Sequence, residues 1–131
     1  MADTVDVQVI HSGPRRYVVR LSNYSDGTGE IDAIKVDKST LTGPVGAEPS
    51  KLVIEEIEWN LQGFNYVILE WDRTADQEIA VLGTSSGYKN YRPVGGLCDN
   101  ATGGTGDIVL TTSGATAGAS YDITLAVRLK A

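Results

Sequence analysis

The chain has 131 residues, 17 of them acidic and 11 basic, for a formal net charge of −6. That length suits one domain, residues 1–131, since a chain of this size buries about two thirds of its open surface in a single core. The charge argues against nucleic acid and anionic membranes as partners, because both are held by clustered Lys and Arg, and the longest basic run here is Arg15-Arg16.

Helical periodicity is nearly absent and alternation with period two recurs throughout. Residues 4–11 read as a first strand, with Val5, Val7 and Val9 on one face, and Ser12-Gly13-Pro14 breaks it. Residues 15–24 resume with Tyr17, Val19 and Leu21 alternating against Arg16, Val18 and Arg20. The run Ser25-Asp26-Gly27-Thr28-Gly29 has the chemistry of a tight connection, and residues 30–37 return with Ile31 and Ala33 on one side. Residues 38–50 hold Pro44, Pro49 and two glycines, and their irregularity suits a crossover between sheets.

Residues 52–61 and 64–71 flank Gln62-Gly63, the spacing of a two-residue hairpin. Pairing across that turn sets Leu61 beside Phe64, Trp59 beside Tyr66 and Ile57 beside Ile68 as one core face. Val67, Leu69 and Trp71 then fall on the other face, with Trp71 covered by a loop or a neighbouring subunit. Residues 77–82, 88–92, 107–112 and 120–130 give further strands, the last three set apart by a glycine-rich loop at 100–106 and a small-residue loop at 113–119. Eight or nine short strands with regular turn signals predict an all-β fold, a single-domain antiparallel β-sandwich in the manner of a jelly roll, with a closed barrel as the alternative.

No chemistry is assembled by spacing, so no catalytic residue, cofactor or metal ligand is expected. His11 is the sole imidazole, at a strand end beside a Gly-Pro break, and nothing sets a nucleophile against it. Glu56, Glu58 and Glu70 read as solvated strand positions rather than a glycosidase pair. Residues 25–30 and 103–107 place oxygens among glycines, but lack the spacing or the repeats that calcium sites need. Cys98 is the one cysteine, so no intrachain disulfide forms, and a small buried or half-buried side chain is its expected role. The N-terminal residues carry no basic start and no apolar run, so a cytoplasmic product is expected.

Residues 7–41 (VQVIHSGPRRYVVRLSNYSDGTGEIDAIKVDKSTL), 54–72 (IEEIEWNLQGFNYVILEWD) and 106–131 (GDIVLTTSGATAGASYDITLAVRLKA) resemble small virion structural proteins of tailed bacteriophages, most of all capsid decoration, or cement, proteins. That resemblance implies a β-sandwich made in the bacterial host cytoplasm. It implies residence on the outer capsid surface, as a homotrimer bridging subunits of the major capsid protein. Trp71, Tyr88, Tyr91 and Arg92 are the expected partner-interface residues, since aromatic and Arg side chains anchor interfaces and this stretch is aromatic where a loop is usually polar. Residues 2–6 could instead add as a strand to a neighbour. The alternative function is a carbohydrate- or receptor-binding β-sandwich of a phage tail or fibre, with Trp59, Trp71 and Tyr88 stacking on sugars.

Overall fold

A computed structural model describes residues 4–13, 15–43, 46, 48–49, 51–73, 77–98, 104–114 and 116–130. Among them the chain is all-β and antiparallel: β1 (Thr4–Ser12), β2 (Arg16–Asp26), β3 (Ala33–Val36), β4 (Lys51–Arg73), β5 (Gln77–Asn90), β6 (Leu97–Cys98), β7 (Gly104–Ser113) and β8 (Ala117–Lys130). Two single turns of 3-10 helix, Lys38–Thr40 and Arg92–Val94, interrupt the strands.

The organising element is β4, which is 23 residues long and bends in its middle. Its first half pairs with β8, from Lys51 opposite Lys130 to Gln62 opposite Ser120. Its second half pairs with β7, from Tyr66 opposite Ser113 onward. On its other side β5 follows it through both halves, with a register shift between Leu61 and Tyr66. The result is one continuous hydrogen-bonded sheet folded into two layers. The first layer runs β1-β2-β8-β4-β5, with β6 extending it beside Val53 and Ile54; the second runs β3-β7-β4-β5.

The hairpin predicted at Gln62-Gly63 is therefore not formed. Gly63 has φ of +84°, and a Cβ there would stand 2.9 Å from the Cα and Cβ of Ala119. It lets one strand turn a corner against β8 instead of reversing on itself. Trp59 accordingly faces Ile123 and Gly87, not Tyr66, and Ile57 faces Leu125 and Lys89, not Ile68. The corner also changes which side chains point inward: Ile57 and Leu61 before it, then Phe64, Val67, Leu69 and Trp71 after it. Tyr66, expected in the core, is exposed.

Cross-strand rows fill the interior. Val19, Leu125 and Ile57 lie side by side in the first layer, and Leu69, Leu110 and Ala33 in the second. All the buried members belong to one apolar cluster. The exposed surface of 6707 Å² matches the value of about 6,700 Å² that scaling gives for a compact chain of this mass. Residues 30–32, read as strand from the sequence, precede β3 instead; Asp32 takes φ of +48° and Ile31 is exposed. The predicted strand 88–92 is the end of β5 plus the 3-10 turn.

Candidate functional site

The outer face of the first layer carries most of the polar chemistry. Apolar side chains occur in β4 at Leu52 and Ile54, then at Ile57, a break in alternation that the structure realises as a bulge between Ile54 and Glu56. Glu55 is the extra residue. Its carbonyl accepts the N–H of Tyr91 at 2.8 Å, fixing the segment after β5 against β4. Its carboxylate draws in three arginines: Arg16 from β2 at 2.8 Å, Arg92 at 3.8 Å, and Arg128 from β8 at 3.8 Å.

Arg92 also reaches Glu56 through Nε at 3.2 Å. Its backbone N–H donates to Asn90 Oδ1 at 3.0 Å, and the turn closes with Gly95 N–H on its carbonyl. Tyr88 stands opposite Glu58 on β5 and is 53% exposed. Desolvation against the sheet, and then its hydrogen bond to the Glu56 carboxylate, hold its phenol above the ordinary tyrosine value. Further across the same face Arg20 grips Asp122 with both ends of its guanidinium, at 2.9 and 2.8 Å. An open depression of about 640 Å³ lies between them, lined by Arg20, Glu58, Trp59, Asn60, Tyr88 and Asp122 among others.

Of the four residues expected at an interface, the structure brings three together: Tyr88 and Arg92 on the surface, with Tyr91 half-buried and packed on the core beneath them. Trp71 does not join them. It is 3% exposed, opposite Ile108 in the second layer, and serves as core. The expectation failed there because the missed corner at Gly63 put Trp71 on the wrong side of the sheet. Glu55 and its arginines were not foreseen, although the doubled acid inside an alternating strand marks the bulge.

A second surface feature lies at the edge of the first layer. Val5, Val7 and Val9 of β1 sit opposite Asn23, Leu21 and Val19, on the core-facing side. They are nevertheless between 41% and 49% exposed, and Ile10 beyond them is exposed too. The first layer is wider than the second, so this valine row overhangs the core.

The Ser25–Glu30 segment is a turn in which Asp26 Oδ1 accepts from the Thr28 N–H and hydroxyl, at 3.1 and 2.7 Å. Cys98 is half-buried beside Val53. Among the described residues no group of three or more His, Cys, Asp or Glu side chains is placed to hold a metal ion.

No family model matches the chain and no curated protein does. Among solved structures, one described as the crystal structure of Fe(II) HppE aligns with a TM-score of 0.38 and 9% identity. The alignment covers 95% of this chain but 56% of that one, so the chain spans little more than half its length.

Proposed function

We propose that this chain is an adhesive structural module, a capsid decoration protein that binds the outer surface of a phage shell and bridges its major capsid subunits. The observation that carries the reading is the overhanging row of Val5, Val7 and Val9 on an edge strand. Sheet edges are ordinarily blunted by charge or covered, because an apolar edge recruits other chains. Here the edge offers backbone hydrogen bonds and a greasy face together, which suits a strand from a neighbouring subunit. Tyr88 and Arg92, set on a rigid sheet by the Glu55 bulge, supply a second adhesive patch.

Two such patches on one rigid body make a clamp. A protein that binds the expanded shell and not its dissociated subunits stabilises the shell by its binding free energy at every site. Trimers multiply this, since each copy holds the others near their sites. Quantitative mass spectrometry of purified virions tests the assignment: a copy number of the order of the major capsid protein's supports it, and absence from the particles overturns it.

A second reading is favoured by the open depression, where the edge of Trp59, the ring of Tyr88 and the acids Glu58 and Asp122 meet. Sugar-binding sheets combine an aromatic face with carboxylates. Burial of Trp71 removes one of the three rings that reading started from, and saturation-transfer NMR with a panel of glycans tests what remains.

A further inference from the structure

A buried ion pair of the described residues, Lys35 with Glu30, sits among polar groups from both layers. Glu30, just before β3, holds Lys35 Nζ on Oε2 at 2.5 Å, and both Asn23 Nδ2 and the Tyr121 hydroxyl on Oε1, at 2.7 and 2.5 Å. The Lys35 side chain is 4% exposed and that of Glu30 is 9% exposed. Asn23 and Tyr121 are buried in the same place, and the ring of Phe64 lies 5.9 Å from that of Tyr121. Asn23 is an inward residue of β2, in the first layer. Lys35 stands at the register shift of β3, in the second, which turns it inward. The carboxylate thus joins the two layers.

As a device for stability this is a poor choice, since a buried ion pair seldom repays its desolvation better than apolar side chains would. As chemistry it is complete. An amine, a carboxamide and a carboxyl touching both are the two reactants and the proton carrier of an amide exchange. We propose that Lys35 and Asn23 condense into an intramolecular isopeptide bond, with Glu30 as the catalytic acid–base and Tyr121 as the residue that positions it. This inference stands independently of the role on a capsid.

The step balances without an oxidant or a further reactant. The Lys35 ammonium passes a proton to Glu30 Oε2, leaving a neutral amine beside a carboxylic acid. With the carboxyl turned so that its proton lies on the Asn23 side, a half-turn of the Asn23 carboxamide lets that acid donate to Oδ1 and draw electron density from Cγ. The Nζ lone pair attacks Cγ and forms the new C–N bond. Glu30 carries the surplus proton from Nζ to Nδ2, the Cγ–Nδ2 bond breaks, ammonia leaves, and the proton first taken from the ammonium stays on Glu30 as the neutral acid. No atom changes oxidation state, and the buried lysine charge is gone. Fixed orientation lets so slow a reaction run once the chain has folded, because the reactants are held together at high effective concentration. The product fastens β2 to β3 covalently and so locks the layers at that end.

The intact mass of the purified chain under denaturing conditions tests this. The expected mass is lower than the sequence mass by one ammonia, while Glu30→Gln keeps its full sequence mass whether or not it folds well. Trypsin is expected to skip Lys35, and cleavage at Glu30 is expected to leave the two flanking pieces joined. Full sequence mass in the wild type overturns the proposal. So does loss of water, which would mean a Lys35–Glu30 amide. So does loss of ammonia that persists in Lys35→Arg, which would mean a succinimide at Asn23.

Discussion

The indole of Trp59 lies across Gly87, so closely that a Cβ at position 87 would come within 2.3 Å of Cζ2 and 2.7 Å of Cε2. The two residues pair directly across β4 and β5, and the ring takes the space that a side chain on β5 would need. Gly87→Ala is therefore expected to lower stability by about 1–3 kcal/mol, as overpacking does. Urea unfolding checks it: the midpoint should fall while the slope stays constant. In a Trp59→Leu background the added methyl should cost markedly less, because the clash is with the ring.

Gly63 makes a separate demand on the backbone. Its φ of +84° and the 2.9 Å approach to Ala119 act together at the corner of β4. Gly63→Ala is expected to cost about 1–3 kcal/mol for the backbone conformation, with a steric penalty besides. Adding Ala119→Gly should recover only the share of the steric penalty that comes from the Ala119 methyl, since the Ala119 Cα is equally close, and thermal unfolding of the two variants measures that share.

The same glycine marks how far the fold could be read from the chain. Alternation disclosed nearly every strand and the inward rows of β2 and β8, because one wet and one dry face impose period two on the side chains. It did not disclose the corner. Gln62-Gly63 has the residues of a hairpin turn, and local chemistry does not separate a reversal from a bend that keeps the strand going. That depends on whether the later residues pair with the earlier ones or with β7 and β8. The error then carried Trp71 to the surface and Tyr66 to the core. Tyr88, Tyr91 and Arg92 were legible because aromatic and Arg residues crowd a short polar stretch. Two of the three arginines around Glu55, Arg16 and Arg128, lie 39 and 73 positions away (55 − 16 and 128 − 55), and Arg92 is distant in sequence too, beyond any local signal.

Tyr17 gives the fold a dependence on alkaline pH. Burial raises its phenol above the ordinary value in the folded protein. The folded state therefore keeps a proton that the unfolded chain gives up, so stability falls with rising pH there. This contribution is fully present below the ordinary tyrosine pKa and is lost as pH rises through the folded one. Chemical denaturation across that window should show the decline, and Tyr17→Phe should flatten its share of it.

The proposed adhesive patch should separate from the core in variants. Tyr88→Ala and Arg92→Ala remove exposed groups and are expected to change stability by no more than about 0.5 kcal/mol. Leu125→Ala empties a fully buried site and is expected to cost about 2–5 kcal/mol. Capsid co-sedimentation with the first pair should show weakened binding by a protein whose unfolding is unchanged. A Val7→Asp change on the overhanging row should weaken it further, since a charge there faces any incoming strand.

Calorimetry of expanded capsids stripped of this chain, heated with and without the purified protein, bears most directly on the proposed role. A shell that melts at a higher temperature when the wild-type protein is added, and gains less from the Val7→Asp variant, is the expected result. A melting temperature that does not move at saturating protein would contradict the account.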